Sequence, residues 1–239
     1  MDHTLGILSI FTPESVKKVD LYKSSFPARY GGRLSSVIDV RTNDGDMRNY
    51  HGSLTIGLLT SRMHFEGPLW KDRTSFIISA RRSYADLIIK PFMDKDTKGG
   101  YYLYDINTKL NHRFSDRDRL FFSFYHGKDH ASFTNTSSYY FEEEKETDTR
   151  ERQVMAWGST LGALRWNHIV SNRLFHNITL SYNRFRFNIK NNFTSANKHL
   201  DSQYYSGIED WGLTSDFDFH PSPSHFIKFG GNYLYHTFR

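Results

Sequence analysis

The sequence predicts an all-β fold, an antiparallel β-barrel of the type that crosses an outer membrane, and three observations predict it. Only 38% of the 239 residues are hydrophobic and the mean hydropathy is −0.63, yet 16% are aromatic. A membrane barrel with a polar lumen, an apolar belt and aromatic girdles has this composition. No stretch approaches the roughly 20 apolar residues of a membrane helix. Apolar and polar residues instead alternate along much of the chain.

The composition and the first residues of the chain exclude several classes of protein and of binding site. The absence of Cys excludes a disulfide scaffold, a CxxC zinc site and thiol chemistry. The net charge of +5 is too small to indicate a nucleic-acid partner by itself. Met1 is followed by Asp2 and His3, without the basic, apolar and cleavage regions of a signal peptide. We therefore expect either a cytoplasmic protein or an internal piece of a longer exported precursor.

The first 45 residues lack the long aromatic alternation of the rest. Residues 16–21 predict a short passage from helix to strand, residues 26–32 a tight loop, and residues 36–41 a compact β-branched strand. Residues 43–45, Asn-Asp-Gly, predict a turn. We place a boundary near residue 46.

The next segment predicts two or three strands. Residues 51–66 are long for one strand and could instead form two short strands hinged near residues 59–61. Gly and Pro in residues 67–72 predict a turn. Residues 73–87 then read as another strand.

The clearest strand covers residues 102–114, where the residues of one face are apolar or aromatic and those of the other are polar. The first face comprises Tyr102, Tyr104, Ile106, Thr108, Leu110, His112 and Phe114, and the second Asp105, Asn107, Lys109, Asn111 and Arg113. A polar turn at residues 115–118 leads to a partner strand with Leu120, Phe122 and Phe124. A long connection is predicted over residues 129–152.

The same pattern repeats to the end of the chain. Tight turns are predicted at residues 171–173 and 221–223, and a long polar connection over residues 190–204. Strands are predicted to end near His168 and to cover residues 174–183, 211–220 and 227–236. The total is eight or nine strands. Short turns on one side and long loops on the other are typical of an outer-membrane barrel.

A soluble β-sandwich or lipocalin-like barrel also alternates, because one face of its sheet packs on a core. Strands of 12 or more residues with aromatic residues near their ends favour the membrane interpretation. It predicts that four side chains face outward to lipid, namely those of Ile106, Leu110, Phe122 and Phe124.

Residues 14–45, from Glu-Ser-Val-Lys-Lys to Thr-Asn-Asp-Gly, resemble the end of the plug domain of TonB-dependent outer-membrane receptors. Residues 26–36, Phe-Pro-Ala-Arg-Tyr-Gly-Gly-Arg-Leu-Ser-Ser, look most like receptors of the Bacteroidetes type. Residues 52–54 and 65–69 are similar to the family's first barrel hairpin, which favours two strands within residues 51–66. Lys23-Ser24 departs from the Lys-Gly of many members.

The resemblance implies the C-terminal part of a small α+β plug domain over residues 1–46 and the N-terminal part of the barrel over residues 47–239. Barrels of this family have 22 strands, so the chain would hold only part of one. The implied function is uptake of a scarce nutrient through the plugged barrel, in the outer membrane of a Gram-negative bacterium. Siderophore, cobalamin, glycan and peptide remain open as nutrients.

The implied partners are outer-membrane lipid, the nutrient, a surface lipoprotein, and the TonB energy-transducing complex acting through a segment ahead of this chain. The alternative is a non-transporting β-barrel or β-sheet protein that serves as a binding or structural module. The plug-like segment discriminates between the two, because a simple barrel has no use for it.

The plug loop supplies the candidate binding residues. Arg29, Tyr30 and Arg33 are predicted to contact substrate, while Gly31 and Gly32 are predicted to form a turn with positive φ. Five polar residues suit the inner face of the barrel, namely Asp105, Asn107, Lys109, Asp216 and Asp218.

No catalytic residue, metal site or cofactor is predicted, since the chain has no Walker, GxSxG or HExxH motif. His126, Asp129 and His130 have the spacing of a helical metal site, but they lie at a strand end, where the three side chains do not share one face. Residues 184–187, Arg-Phe-Arg-Phe, mix basic and aromatic side chains as nucleic-acid-binding sheets do. Acidic residues along the same strands argue against a nucleic-acid partner.

Overall fold

The structure is a computed structural model that describes residues 2–3, 8–9, 13–23, 27, 30, 36–141, 144–195 and 198–239. It contains two small two-stranded sheets and one nine-stranded sheet, all antiparallel. The first small sheet pairs β1 (Asp2–His3) with β2 (Leu8–Ser9). Within the described residues, no helix has the length and apolarity needed to cross a membrane.

The second small sheet pairs β3 (Val16–Tyr22) with β4 (Val37–Thr42) and follows a 3₁₀ turn at Pro13–Ser15. The passage from helix to strand predicted for residues 16–21 therefore lies earlier: these residues are all strand, and one 3₁₀ turn precedes them. The Asn43 side chain donates to the carbonyl of Glu14 at 2.9 Å, and the Asn43 amide donates to the carbonyl of Ser15 at 2.9 Å. These two bonds close one end of the hairpin.

The large sheet is an up-and-down meander in which each strand pairs with the next in sequence. Its strands are β5 (His51–Ile56), β6 (Thr60–Trp70), β7 (Thr74–Ser83), β8 (Thr97–Arg113), β9 (Asp118–Phe141), β10 (Glu144–Ser171), β11 (Leu174–Ser195), β12 (Lys198–Ser222) and β13 (His225–Phe238). The predicted antiparallel all-β fold is confirmed, with nine strands in this sheet. β5 and β13 form its two edges.

The two faces of the sheet differ in what they bury and expose. The inner face, which contacts the N-terminal segment, buries mostly polar side chains, namely Ser75, Ser79, Arg81, Ser83, Asp105, Lys109, Asn111 and Asp129. The inner face also buries Ile77, Leu103, Phe121 and Tyr125. The outer face exposes large apolar side chains, including Leu54, Phe65, Ile106, Phe122, Leu164, Leu180, Leu213 and Tyr233. An exposed apolar surface of this extent marks an interaction with lipid or protein.

The four side chains predicted to point outward do lie on the outer face. Register places Ile106 beside His126, Leu110 beside Phe122, and Thr108 beside Phe124. Ile106 and Phe122 are 38% and 40% exposed, and Leu110 and Phe124 are partly exposed.

Two predicted long loops are instead strands. Residues 129–152 continue β9 to Phe141 and begin β10 at Glu144, and residues 190–204 continue β11 to Ser195 and begin β12 at Lys198. Side chains reinforce both extensions: Ser138 donates to Asp148 at 2.8 Å and Asn192 donates to Asp201 at 2.7 Å. The polar residues that suggested a loop occur on both faces of the extended strands, with a few apolar residues such as Phe133 and Leu200 among them.

The segment around β7 corrects two further boundaries. β6 runs to Trp70, so the predicted turn at residues 67–72 is confined to residues 71–73, where Asp72 has φ 60°. β7 ends at Ser83 rather than continuing to residue 87, and α1 (Ala85–Ile89) and a 3₁₀ turn (Lys90–Phe92) follow. The division of residues 51–66 into two strands is confirmed, with the connection at residues 57–59.

Candidate functional site

The N-terminal segment meets the large sheet at a buried lysine. Lys109 Nζ lies 2.7 Å from Asp44 Oδ1 and donates to the carbonyl and hydroxyl oxygens of Thr42 at 3.2 and 3.0 Å. The ammonium therefore has three acceptors for its three N–H donors. Its side chain is only 8% exposed. This contact fastens the end of β4 to the C-terminal third of β8.

The turn after β4 presses against β7. Gly45 has φ +80°, and a Cβ at this position would lie 2.9 Å from the carbonyl oxygen of Phe76. Ser75 donates to the carbonyl of Asp44 at 2.7 Å, and the Asp72 amide donates to the carbonyl of Met47 at 3.0 Å. Glycine is required here because the backbone conformation is left-handed and the neighbouring strand is close.

Asp46 organises the entry into β5. One of its carboxylate oxygens accepts from the amides of Arg48 and Asn49 at 2.7 and 3.1 Å, and the other lies 2.9 Å from His51 Nε2. The amide of Arg48, followed by the His51 ring, lowers the pKa of Asp46 to about 2. The carboxylate thus replaces backbone bonds that the irregular segment before β5 cannot make.

A buried ion pair stiffens the inner face above this junction. Arg81 Nη2 and Nε lie 2.6 and 2.7 Å from Asp105 Oδ2, and both side chains are below 10% exposed. Beside them, the Tyr101 hydroxyl donates to Asp129, and Ser83 Oγ accepts from the Leu103 amide. β7, β8 and β9 are thereby cross-linked by polar side chains on the face toward the N-terminal segment. The sequence interpretation missed Arg81, although its alternation with Ser75, Ser79 and Ser83 was visible.

Two cavities lie between the N-terminal segment and the sheet. One, of about 380 Å³, is lined by Ser15 and Thr42 on one side and by inner-face residues such as Asn107 and Tyr125 on the other. The second, of about 540 Å³, lies between Tyr30 and the inner face of β12 and β13. Both are large enough to admit part of a small ligand.

The second cavity contains the one predicted binding residue that the structure describes. The Tyr30 hydroxyl donates to Asp39 Oδ2 at 2.8 Å, and its ring centroid is 5.6 Å from that of Tyr22. The opposite wall includes Asp216, Asp218 and Lys228, and Lys228 Nζ is 3.4 Å from Asp218. This wall offers charges of both signs to a polar ligand.

The other four predicted plug-loop residues, Arg29, Gly31, Gly32 and Arg33, lie outside the described residues. Their substrate contacts and the positive-φ turn stay predictions. The five polar residues expected on the inner face (Asp105, Asn107, Lys109, Asp216 and Asp218) do share that face by register. Asn107 and Lys109 line the first cavity, and Asp216 and Asp218 line the second.

The described part of the chain holds no group of three or more His, Cys, Asp or Glu side chains arranged to bind a metal ion. Asp129 is bonded to Tyr101 on the inner face, whereas His126 lies 3.0 Å from the Thr160 hydroxyl on the outer face. The sheet therefore separates the members of the His126, Asp129 and His130 triplet.

The outer face carries an apolar band with polar limits. On β9 the outer-face residues between Asp118 and Lys128 are Leu120, Phe122, Phe124 and His126, so the band is apolar for three of its four positions. Ten residues of strand at about 3.3 Å each, tilted by about 45°, cover close to 25 Å of height. That is the height of the apolar band of outer-membrane barrels.

No protein-family model matches the chain, and a search of curated proteins returns no match. Among solved structures, the chain is similar to the siderophore receptor PirA from Acinetobacter baumannii, with 14% identity and a TM-score of 0.40 over 96% of this chain and 45% of that one. Two structures of mutant ferric enterobactin receptor PfeA from Pseudomonas aeruginosa are also similar. They are 14% and 13% identical, with TM-scores of 0.40 and 0.42, over 97% and 98% of this chain and 46% of each of theirs. The chain thus spans less than half the length of these structures, and a likeness this distant assigns no function.

Proposed function

We propose that this chain is part of a TonB-dependent outer-membrane receptor, with residues 1–46 as the end of the plug and residues 47–239 as the first part of the barrel. The observation that carries the proposal is the contrast between the two faces of the nine-stranded sheet. Its polar inner face holds a folded N-terminal segment, and its apolar outer face is exposed. A membrane barrel requires both properties, whereas a soluble sheet requires neither.

The dimensions of the sheet support a membrane location. A strand needs about 9–11 residues to cross a bilayer at the usual tilt. β9 to β12 have 24, 28, 22 and 25 residues. Their connections at residues 114–117, 172–173 and 223–224 are short and lie at one end of the sheet. The strands therefore rise well beyond the apolar band at the other end, as extracellular extensions of such barrels do.

The contacts of Asp44 and Glu14 with the inner face support a model of how the plug is held. A plug that moves on demand needs polar contacts that can be exchanged for water, since an apolar interface would resist hydration. The inner face of the sheet supplies three such contacts. Lys109 forms an ion pair with Asp44, Ser75 donates to the carbonyl of Asp44, and Arg62 lies 3.8 Å from Glu14. Pulling by the TonB energy-transducing complex on a segment ahead of this chain would break them in turn.

The proposed cargo is a scarce nutrient, a siderophore, cobalamin, glycan or peptide, that enters from the extended end of the strands. The cavity beside Tyr30, with Asp216, Asp218 and Lys228 on its wall, supports a polar ligand. The Bacteroidetes subtype and a surface lipoprotein partner belong to the same proposal and are supported by the resemblance of residues 26–36.

Expression of the protein at its native length in a Gram-negative host tests this function. We expect it in the outer-membrane fraction, with a gel mobility that changes on heating. Uptake of its nutrient should stop when the energy-transducing complex is deleted. A monomer that is stable in plain buffer would overturn the proposal and favour a non-transporting sheet protein with a binding or structural role.

A further inference from the structure

A row of basic side chains crosses the outer face just beyond the apolar band. Register aligns Arg82 on β7, Tyr104 on β8, Lys128 on β9, Gly158 on β10 and Arg186 on β11. Three cations therefore occur on alternate strands, roughly 10 Å apart, with a tyrosine or a glycine between them. Arg184 extends this basic row one step toward the band, opposite Thr160.

The glycines make the row accessible. Gly158 lies between Lys128 and Arg186, and Gly207 flanks Arg186 on its other side. A Cβ added at Gly158 would lie 2.6 Å from the carbonyl oxygen of Gly127. A side chain at Gly158 would also stand between the two cations. Its absence leaves a shallow notch bordered by Lys128 and Arg186.

The charge of the row is only partly compensated within the chain. Arg186 has one carboxylate neighbour, Glu209 at 3.7 Å, and Glu209 is shared with Arg239 at 3.3 Å. In the part of the chain that the structure describes, Lys128 and Arg184 form no ion pair within 4 Å, although the register places Glu209 opposite Arg184 on the same face. Arg82 lies over the ring of Tyr102 at 5.7 Å.

The other end of the apolar band, near the short turns, has an acidic residue on the outer face. There Asp118 accepts from Trp166 Nε1 at 3.2 Å and lies 2.7 Å from His168 Nδ1. The nearby cations Lys71, Arg117 and Arg173 lie in the turns, so the row of cations on the strands themselves occurs at the limit from which the long strands extend. A bilayer whose hydrocarbon covers the apolar band would bring its headgroup phosphates to the level of the basic row.

We propose that the basic row binds the phosphate of an anionic lipid headgroup, with Lys128, Arg184 and Arg186 as its ligands around the Gly158 notch. Arginine and lysine donate several charge-assisted hydrogen bonds to phosphate oxygens. The adjacent outer-face residues Phe124 and Tyr182 lie toward the band, where the acyl chains of the same lipid would pack. This inference depends on the proposed membrane location but not on transport.

The test uses the protein at its native length in neutral detergent. Native mass spectrometry measures the retention of phosphatidylglycerol against phosphatidylcholine with identical acyl chains. One triple variant carries Lys128→Gln, Arg184→Gln and Arg186→Gln. The matched control carries Lys71→Gln, Arg117→Gln and Arg173→Gln, which remove the same charge from exposed turns at the other end of the sheet.

We expect the wild type and the control to retain phosphatidylglycerol at least about tenfold better than phosphatidylcholine, and the basic-row variant to lose that preference. The single variant Lys128→Gln should lose part of it. Equal losses in both triple variants, or displacement of the lipid by millimolar inorganic phosphate, would overturn the inference. A folded, membrane-inserted protein without any lipid preference would overturn this inference alone, whereas a protein that never enters membranes would overturn the proposed function as well.

Discussion

Asp44 and Lys109 are joined by a 2.7 Å ion pair that connects the end of the small N-terminal sheet to the centre of the large one. The two residues are far apart in sequence, and the lysine is the more buried partner, with 8% of its side chain exposed against 33% for the aspartate. Because removal of one member of a buried pair leaves the other charge uncompensated, the two members should not be equivalent.

We predict that Asp44→Ala loosens the N-terminal segment more than Lys109→Met does. The first change leaves a buried ammonium with only the two Thr42 oxygens, at a cost of about 1–3 kcal/mol once the partial exposure of Asp44 is considered. The second removes the buried charge, and water can solvate the remaining carboxylate. Hydrogen exchange over residues 13–23 and 36–47 measures the difference.

Lys71→Met, which changes an exposed turn lysine, is the matched control and should leave exchange unchanged. Equal exchange in Asp44→Ala and wild type would show that the pair does not hold the segment.

Gly45→Ala should destabilise the junction by about 1–3 kcal/mol. Its φ of +80° is strained for alanine, and the new Cβ would lie 2.9 Å from the Phe76 carbonyl oxygen. Gly162→Ala is the control, since no atom lies within 4 Å of its Cβ position. The midpoint of denaturant unfolding should fall for the first variant and stay near the wild-type value for the second. A Gly45→Ala variant as stable as Gly162→Ala would contradict the close approach of the turn to β7.

We expect the ionised Asp46 carboxylate to stabilise the folded protein at neutral pH and to lose this contribution in strong acid. Its pKa is lowered to about 2 in the folded protein, from an ordinary value of 3.8, by the Arg48 amide and the His51 ring. A lowered pKa means that the stabilisation is complete above about pH 4 and disappears as the pH falls through 2. Thermal unfolding of the wild type and Asp46→Asn from pH 6 to pH 2 should therefore converge at the acidic end. A difference that is constant across this range would contradict the assignment.

The sequence predicts this fold where one face of a strand differs from the other. Residues 102–114 alternate cleanly because their outer side chains face the apolar band, and the observed β8 contains nearly all of them. Residues 129–141 and 144–152 lie beyond the band, where polar residues occur on both faces, so the periodic signal vanishes although both segments are strand. The turn that contains Gly45 was predictable from the adjacent residues 43–45, Asn-Asp-Gly.

The junction itself was not predictable in the same way. Lys109 was placed on the inner face correctly, but its partner depends on how the N-terminal segment lies across β8, which no local pattern encodes. Arg81 and Asp105 are 24 residues apart, and only the register of β7 with β8 brings them together. Charged residues on the inner face are therefore recognisable from sequence, whereas their pairing is not.

The apolar band makes a prediction that separates a membrane protein from a soluble one. Leu180 is 45% exposed, so in water Leu180→Lys would change stability by no more than about 0.5 kcal/mol. In a bilayer the same lysine would face hydrocarbon, and the expected cost is about 2–4 kcal/mol near the midplane. Unfolding by denaturant from lipid vesicles measures this cost. Leu200→Lys is the control for a change outside the band, because Leu200 is even more exposed at 67% but lies on β12 beyond the band, where the register places it on the inner face opposite Phe193. We expect a large loss of stability for Leu180→Lys and almost none for Leu200→Lys, and equal tolerance of both would place the outer face of this sheet in water.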